Sequence, residues 1–141
     1  MRSYIAGLFK TVFIVGMLSF VMSACSKKMM FQSSTVVPAA EGSIKYKKDK
    51  NNNYKIDINV VHLANSDKLT PARSTYVVWM ETKNSGVKNL GQLKSSSSLL
   101  SSALKGSLNA VSSFEPQGFF ITAEDDANIS YPGTQVVLRA N

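Results

Sequence analysis

Apolar and polar side chains alternate strictly along residues 54–60, and this two-residue period restricts the segment to a β-strand with one buried face. The apolar positions are Tyr54, Ile56, Ile58 and Val60. Residues 42–48 alternate in the same way, with Ile44 and Tyr46 on the apolar side. Between the two runs lies the segment 49–53 (DKNNN), whose Asn and Asp residues tolerate the left-handed backbone of tight turns. Together the runs predict a β-hairpin.

Four more segments predict strands, three of them because they are rich in β-branched and aromatic residues and 87–94 because it returns after a tight turn as a partner strand. They are 75–82 (TYVVWMET), 87–94 (VKNLGQLK), 119–124 (FFITAE) and 135–139 (QVVLR). Residues 84–86 (NSG) predict a tight turn, 95–98 is a serine run, and Pro116 centres a further turn. Residues 99–112 fit either one helix or two short strands divided near Gly106, and the glycine and the many serines favour strands.

About seven or eight short strands, with turn signals at the spacing typical of sandwiches, predict an all-β protein. The expected architecture is a small β-sandwich of antiparallel strands over residues 42–141. It follows a cleaved segment at 1–24 and a lipidated N terminus and flexible tether at 25–41. Within the tether, residues 29–31 (MMF) are apolar enough to enter a membrane interface or to pack on the domain. The chain has a single cysteine, so burial without an internal disulfide has to hold the domain together.

Residues 1–24 have the composition of an export signal. Arg2 and Lys10 supply positive charge, an apolar stretch covers residues 11–22, and the next two residues are small. The uncharged stretch ends at Ala24 and is shorter than the ~20 apolar residues that span a bilayer. We therefore expect a signal peptide that is removed, rather than a permanent transmembrane helix.

Residues 22–25 (MSAC) resemble the lipobox of bacterial lipoproteins, in which Leu, a small residue, and Gly or Ala precede a cysteine. The resemblance implies cleavage between Ala24 and Cys25, a diacylglyceryl group on the Cys25 sulfur, and a further acyl chain such as palmitate on the new amine. Two or three chains hold a protein firmly, whereas one binds reversibly. The alternative is an ordinary cysteine behind a standard cleavage site. Ser26 is not the Asp of inner-membrane retention, so we expect a place in the bacterial cell envelope, with the outer membrane favoured.

The formal net charge of +7 arises mainly before Tyr76, since basic and acidic residues balance from there onward. The lysines nearest the proposed anchor are candidate membrane-contact residues: Lys27, Lys28, Lys45, Lys47 and Lys48. Such lysines attract anionic headgroups by about 1 kcal/mol each when they lie close to the surface. The alternative is a solvated, lysine-rich hairpin without a partner. An exported, lipid-anchored chain is not expected to bind nucleic acid.

Two segments carry a second resemblance. The first contains Tyr76-Val-Val-Trp79, Gly-Val and Leu-Gly within residues 76–91, and the second contains Ile-Thr-Ala-Glu, Pro-Gly and Val-Val-Leu within residues 121–138. In this order they resemble the extracytoplasmic C-terminal domain of RskA-type anti-sigma-K factors, over about half of the chain. The resemblance implies a sensor-side domain. It does not imply sigma-factor inhibition, because we identify neither a sigma-binding segment nor a transmembrane helix, and the family's Gly-Gly loop is replaced at residues 126–128.

The residues behind this resemblance have structural rather than catalytic chemistry. Apolar side chains on both faces of residues 76–80 predict a central strand that is covered on both sides. Tyr76 and Trp79 belong to that strand, and the Trp79 N–H needs a hydrogen-bond partner if it is buried. The other structural residues of the two resembling segments are Thr122, Glu124 and Pro132. We expect Trp79 to be a core residue and Glu124 to bind loop amides before Pro132.

No catalytic, metal-binding or cofactor-binding pattern stands out, so we do not expect an enzyme. His62 is the single histidine, expected near a strand end on the alternating face, and there is no G-x-S-x-G nucleophile motif. Ligand sets of the Cys/His type are missing. Glu124, Asp125 and Asp126 lack the D-x-D-G spacing of a calcium loop, so we interpret them as a solvated turn.

Three functional hypotheses follow. The first is a non-catalytic, lipid-anchored envelope protein that contacts membrane lipid through acylated Cys25 and binds an envelope protein or a cell-wall glycan, in the manner of an envelope sensor. The second is a structural or assembly accessory subunit of a membrane complex, which an exposed apolar patch around residues 29–31 would favour. The third, and weakest, is a hydrolase, which requires a pocket that joins His62 to a hydroxyl or a carboxylate.

Overall fold

The computed structural model describes residues 25–97 and 104–141, and it confirms the predicted all-β class. Two antiparallel sheets form a small β-sandwich, with strand orders β1-β2-β3-β7-β6 and β5-β4-β8-β9. A short 3₁₀ turn at Ser66–Lys68 follows β3. The strands are β1 Lys27–Met30, β2 Glu41–Lys48, β3 Tyr54–Leu63, β4 Thr75–Thr82, β5 Val87–Gln92, β6 Lys94–Ser97, β7 Leu104–Ser112, β8 Pro116–Glu124 and β9 Val136–Ala140.

The predicted hairpin is formed by β2 and β3. Ile44 lies opposite Ile58, and both side chains are fully buried against the other sheet. In the connecting turn the Asp49 carboxylate accepts hydrogen bonds from the backbone N–H groups of Asn51 (2.8 Å) and Asn53 (3.0 Å). Asn52 has a φ of 63°, the left-handed conformation that asparagine tolerates. The alternating pattern and the turn chemistry therefore specified this element locally.

Strand β4 is covered on both faces, as predicted. Its inner face belongs to the main core between the sheets, where Met80 and Phe119 are fully buried. Its outer face belongs to a second cluster, built from Val77, Trp79 and Phe120. The long connection between β8 and β9 covers this cluster with Ala127 and Ile129. The Trp79 Nε1–H donates to Thr122 Oγ1 at 2.8 Å, so the buried indole has the partner it needs.

The N-terminal segment differs from the predicted flexible tether, because it packs on the sandwich from Lys27 onward. Strand β1 pairs with β2, and the side chains of Met29 and Phe31 pack against the core. The Gln32 N–H donates to the Arg139 carbonyl in the other sheet at 2.8 Å. Val37 and Ala40 are buried, the latter at 3% exposure. The domain therefore begins at residue 27 rather than at residue 42, because burying these apolar side chains offsets the entropy of ordering the segment.

The predicted strand at 87–94 is in fact two strands in different sheets. Strand β5 ends at Gln92, and the Leu93 N–H still donates to the Tyr76 carbonyl of β4 at 2.9 Å. From Lys94 the chain pairs with β7 as β6, so the serine run contributes a strand. Leu93 is buried at the corner where the chain passes from one sheet to the other. Gly91, just before it, has a φ of 120°, which favours glycine.

Strand β7 also differs from the prediction, because it runs through Gly106 without a break. Residues 104–112 are strand, as favoured, whereas residues 99–103 lie outside the described part of the chain. Gly106 lies opposite Val60 and directly beside Leu93 at the corner. A Cβ at this position would contact Leu93 Cδ2 and lie 2.8 Å from Leu93 Cγ and 3.2 Å from Leu63 Cδ1. The glycine therefore makes room for the corner rather than ending the strand. Similarly, Pro116 begins β8 instead of centring a turn.

We expect Gly106→Ala to lower the free energy of unfolding by about 1–3 kcal/mol, because the new methyl group overpacks the corner at Leu93. Urea denaturation followed by Trp79 fluorescence measures this change. The neighbouring variant Ser107→Ala alters an exposed side chain and should stay within about 0.5 kcal/mol of the wild type. Equal stability of the Gly106→Ala protein and the wild type would contradict the tight packing at this corner.

Candidate functional site

Cys25 lies at one end of the sandwich, which we call the anchor end. The cysteine is exposed, and only Ser26 separates it from the start of β1. Because Lys27 pairs with Tyr46 near the end of β2, Cys25 lies beside the turn between β2 and β3. It lines a small cavity of about 170 Å³ together with Lys48 and Tyr54. The turn at 113–115 lies at the same end, because Ser112 before it pairs with Tyr54. The turn at 83–86 also lies there, because Thr82 before it pairs with Pro116.

The exposed surface of the five-stranded sheet carries aligned lysines, and we call it the lysine face. The strand register places Lys28 opposite Lys45, and Lys47 opposite Lys55. Like charges placed directly opposite each other on neighbouring strands are destabilising. In the part of the chain that the structure describes, none of these four lysines lies within 4.0 Å of a carboxylate. Lys45 also lies opposite Asp57 on its other side, so the surface has one carboxylate among four lysines, and its net positive charge attracts an anion.

A shallow groove of about 530 Å³ runs along the lysine face and reaches Ser26. Asp57 is the carboxylate in the groove, and its Oδ1 already accepts a hydrogen bond from Asn59 Nδ2 at 2.7 Å. The other polar side chains in the groove come from three different strands and from the residue after the cysteine: Ser26, Lys45, Lys47, Lys55 and Asn109. Ammonium and amide donors spaced along an open groove suit an extended anionic ligand.

The five lysines predicted as membrane contacts divide into two groups. Lys28, Lys45 and Lys47 belong to the lysine face. Lys27 lies opposite Tyr46 instead, so it is on the other side of β1 at the anchor end. Lys48 is also at this end, with its Nζ 5.6 Å from the centre of the Tyr54 ring. Sequence reasoning missed Lys55, whose place became visible only through its pairing with Lys47.

The residues of the second resemblance cluster at the other end of the sandwich, which we call the distal end, or in the sheet core. The Tyr76 hydroxyl donates to the Ala64 carbonyl at 2.9 Å. Burial and the neighbouring Asp67 carboxylate raise the pKa of Tyr76 to about 12, so the side chain stays neutral at physiological pH. Glu124 is buried, and its Oε1 accepts the Gly133 N–H at 2.7 Å. The bonded amide thus follows Pro132 rather than preceding it.

The three consecutive carboxylates at the end of β8 have separate partners. Glu124 binds the loop amide, and Asp125 Oδ2 forms an ion pair with Arg73 at 2.6 Å. Asp126 Oδ1 accepts the Asn128 N–H at 2.9 Å. Within residues 25–97 and 104–141 no group of three His, Cys, Asp or Glu side chains could hold a metal ion.

A polar cavity of about 500 Å³ lies at the distal end, and sequence reasoning did not identify it. Arg73, Asp67, Tyr76 and Gln92 contribute to its lining. Arg73 is held in place from both sides, because its Nε donates to Gln135 Oε1 at 3.1 Å while its Nη1 contacts Asp125. These partners are more than fifty residues away in sequence, so no local motif marks them. The cavity combines hydrogen-bonding groups without a histidine base.

His62 does not continue the alternating face as predicted. A β-bulge between Val60 and Leu63 shifts the register of β3 against β7 at this point. His62 has a φ of 57° and is exposed, whereas Leu63 takes the buried position. The residue is near the strand end, as expected, but it lines neither the groove on the lysine face nor the polar distal cavity.

No family model, curated protein or solved structure matches the chain. In the described ranges no helix is long and apolar enough to cross a bilayer. The chemistry of the anchor end and of the lysine face is therefore the basis for a functional proposal.

Proposed function

We propose that the protein is a lipid-anchored, non-catalytic component of the bacterial cell envelope that binds an anionic envelope partner through its lysine face. The observation that carries this proposal is the strand register, which places Lys28 opposite Lys45 and Lys47 opposite Lys55 on an exposed sheet surface. An anion bridging the strands would relieve the repulsion in each pair. Binding of the anion would therefore stabilise the complex relative to the free protein, in which the paired lysines repel each other.

The position of the groove supports an envelope partner. The groove begins at Ser26, directly after the proposed acylated residue, so a bound ligand would lie within a few residues of the membrane surface. A cell-wall glycan with carboxylate groups and an acidic segment of an envelope protein share the required chemistry: an extended chain with regularly spaced negative charges. We propose the glycan as the first partner to test, because the lysines form a spaced row rather than a compact pocket.

A role in envelope sensing is a finer proposal and rests on the resemblance to the sensor-side domain of anti-sigma-K factors. The two resembling segments form neighbouring central strands, β4 and β8, and the Trp79–Thr122 hydrogen bond joins them. The assembly-subunit hypothesis lacks comparable support. The apolar patch it needs around residues 29–31 is largely used in the domain itself, since Met29 and Phe31 pack on the core and Met30 alone is 59% exposed.

We expect the double variant Lys45→Glu/Lys47→Glu to bind purified peptidoglycan sacculi at least ~10-fold more weakly than the wild type, a change that corresponds to about 1.4 kcal/mol. Co-sedimentation over a range of salt concentrations measures the affinity, which should also fall as salt screens the charges. The control is Lys68→Glu, which reverses the charge of an exposed lysine at the distal end.

In-cell crosslinking of the same variants extends this test to protein partners. A stoichiometric envelope protein that is captured by the wild type, retained by Lys68→Glu and lost by the double variant would assign the lysine face to that protein instead of the glycan. If the double variant binds sacculi and captures proteins as the wild type does, the lysine face is a solvated surface and the proposal is wrong.

A further inference from the structure

Apolar side chains are exposed at the anchor end of the sandwich. Val111 lies opposite Lys55 and is 64% exposed, and Phe114 in the next turn is 39% exposed. Val87, which begins β5 after the turn at 83–86, is also 39% exposed. A large apolar side chain that remains in water at one end of a small domain marks a surface for contact.

Lysines surround these apolar side chains. Lys88 Nζ lies 4.7 Å from the centre of the Phe114 ring, and Lys47 and Lys55 share the groove with Val111. The distal loops have a different charge pattern, because Asp67 and Asp125 are paired there with Lys68 and Arg73 and Asp126 adds a further negative charge. Aromatic and aliphatic groups among lysines are the composition of protein surfaces that rest in the headgroup region of anionic membranes.

The length of chain between the anchor and the fold fixes which end faces the membrane. Strand β1 begins at Lys27, two residues after Cys25. Two extended residues reach about 7 Å, which is comparable with the thickness of the headgroup region on one side of a bilayer. If the acyl chains of Cys25 are in the hydrocarbon core, the anchor end has no room to leave the membrane surface.

We propose that the anchor end docks on the bilayer, with Phe114 and Val87 at the boundary between headgroups and acyl chains and with Lys48 and Lys88 against lipid phosphates. The strands then stand away from the membrane, and the lysine face with its groove points sideways and stays free for the envelope ligand. This inference rests on the lipid anchor of the proposed function and adds an orientation to it. The occupant is an anionic lipid surface, which matches the charge of this end.

A depth measurement on the acylated protein tests the docking. Acylation consumes the single native cysteine, so Phe114→Cys creates a unique thiol for an environment-sensitive fluorophore. The matched control is Tyr131→Cys, which labels an exposed aromatic position in the loop before β9. The proteins are reconstituted into vesicles of phosphatidylethanolamine and phosphatidylglycerol that contain a lipid-attached quencher near the headgroups. We expect the probe at 114 to be quenched several-fold more strongly than the probe at 131.

A third probe and a flotation assay separate the possible failures. Lys94→Cys labels the start of β6, on the strand of the five-stranded sheet farthest from β1. Quenching at 94 as strong as at 114 would show that the sheet lies flat and would overturn the upright orientation. Labelled protein that floats with the vesicles while the probe at 114 remains unquenched would overturn the docking and leave the anchor intact. Failure to float would overturn the anchor itself, and far-UV circular dichroism verifies that each variant is folded.

Discussion

Replacing Trp79 with alanine is expected to lower the free energy of unfolding by about 3–5 kcal/mol, a large share of the total stability of a domain of this size. The indole is fully buried and stacks on Phe120 with a distance of 6.3 Å between the ring centroids. Its removal leaves a cavity beneath the connection between β8 and β9, and it leaves the Thr122 hydroxyl without its donor. Urea denaturation followed by far-UV circular dichroism measures the loss, since Trp79 is the only tryptophan.

A double-mutant cycle separates the hydrogen bond from the packing. Trp79→Phe keeps an aromatic ring but removes the donor, and Thr122→Val keeps the side-chain shape but removes the acceptor. We expect a coupling energy of about 1 kcal/mol between the two variants, the usual net contribution of a buried neutral hydrogen bond. A Trp79→Ala protein within about 1 kcal/mol of the wild type would contradict the role of this second cluster in the fold.

The elements that sequence reasoning predicted well are those with a strong local signal. The hairpin of β2 and β3 has strict alternation, and its turn is specified by Asp49 and Asn52 within five residues. The double-sided burial of β4 followed from apolar residues on both faces of a short run. The sequence predicted that the Trp79 N–H needs a hydrogen-bond partner, but not that the partner is Thr122. The two residues are 43 positions apart and meet only because β4 pairs with β8.

The elements that sequence reasoning missed depend on distant pairing. Strand β6 consists of a lysine and serines, so it has no apolar side to reveal a strand, and its existence depends on β7. Strand β1 has four residues, which is too short for a recognisable period. Leu93 fits at the corner only because Gly106, which lies against it, has no side chain. Gly106 is in another strand, so the sequence around Leu93 does not reveal this. A pattern of residue types along one segment does not show which distant segment pairs with it.

The candidate site shows the same division. The lysines at 27, 28, 45, 47 and 48 were visible in the sequence as a charge excess, but a charge excess does not distinguish a scattered set from an aligned one. The register of β1, β2 and β3 places Lys28, Lys45 and Lys47 on one face, adds Lys55 to them, and separates Lys27 and Lys48 from this face. Phe114 and Val111 carried no signal of their own, since exposed apolar residues are common on protein surfaces. Their meaning comes from their position at the same end of the sandwich as Cys25.

Replacing Cys25 with alanine is expected to move nearly all of the protein from the membrane fraction to the soluble fraction at physiological salt. Acyl chains contribute about 0.8 kcal/mol for each buried methylene group, which is far more than the lysines of the anchor end can supply. Cell fractionation with immunoblotting measures the distribution, and metabolic labelling with a radioactive fatty acid reports acylation directly. Ser26→Asp is the control, because it changes the adjacent residue while keeping the acylated cysteine, and this variant should remain in the membrane fraction.

The salt dependence of the same experiment distinguishes the two forces that act at the anchor end. At 0.1 M salt the screening length is about 10 Å, so added salt weakens the attraction between lysines and anionic headgroups. Salt does not weaken the burial of acyl chains in this way. A Cys25→Ala protein that sediments with membranes at low salt and is released at high salt would show that the docking surface binds weakly on its own, as Phe114 and its lysine neighbours predict. A variant that still sediments with membranes after a high-salt wash would show that something other than the lipid holds the protein. In that case the proximity of β1 to Cys25 would no longer determine which end faces the bilayer.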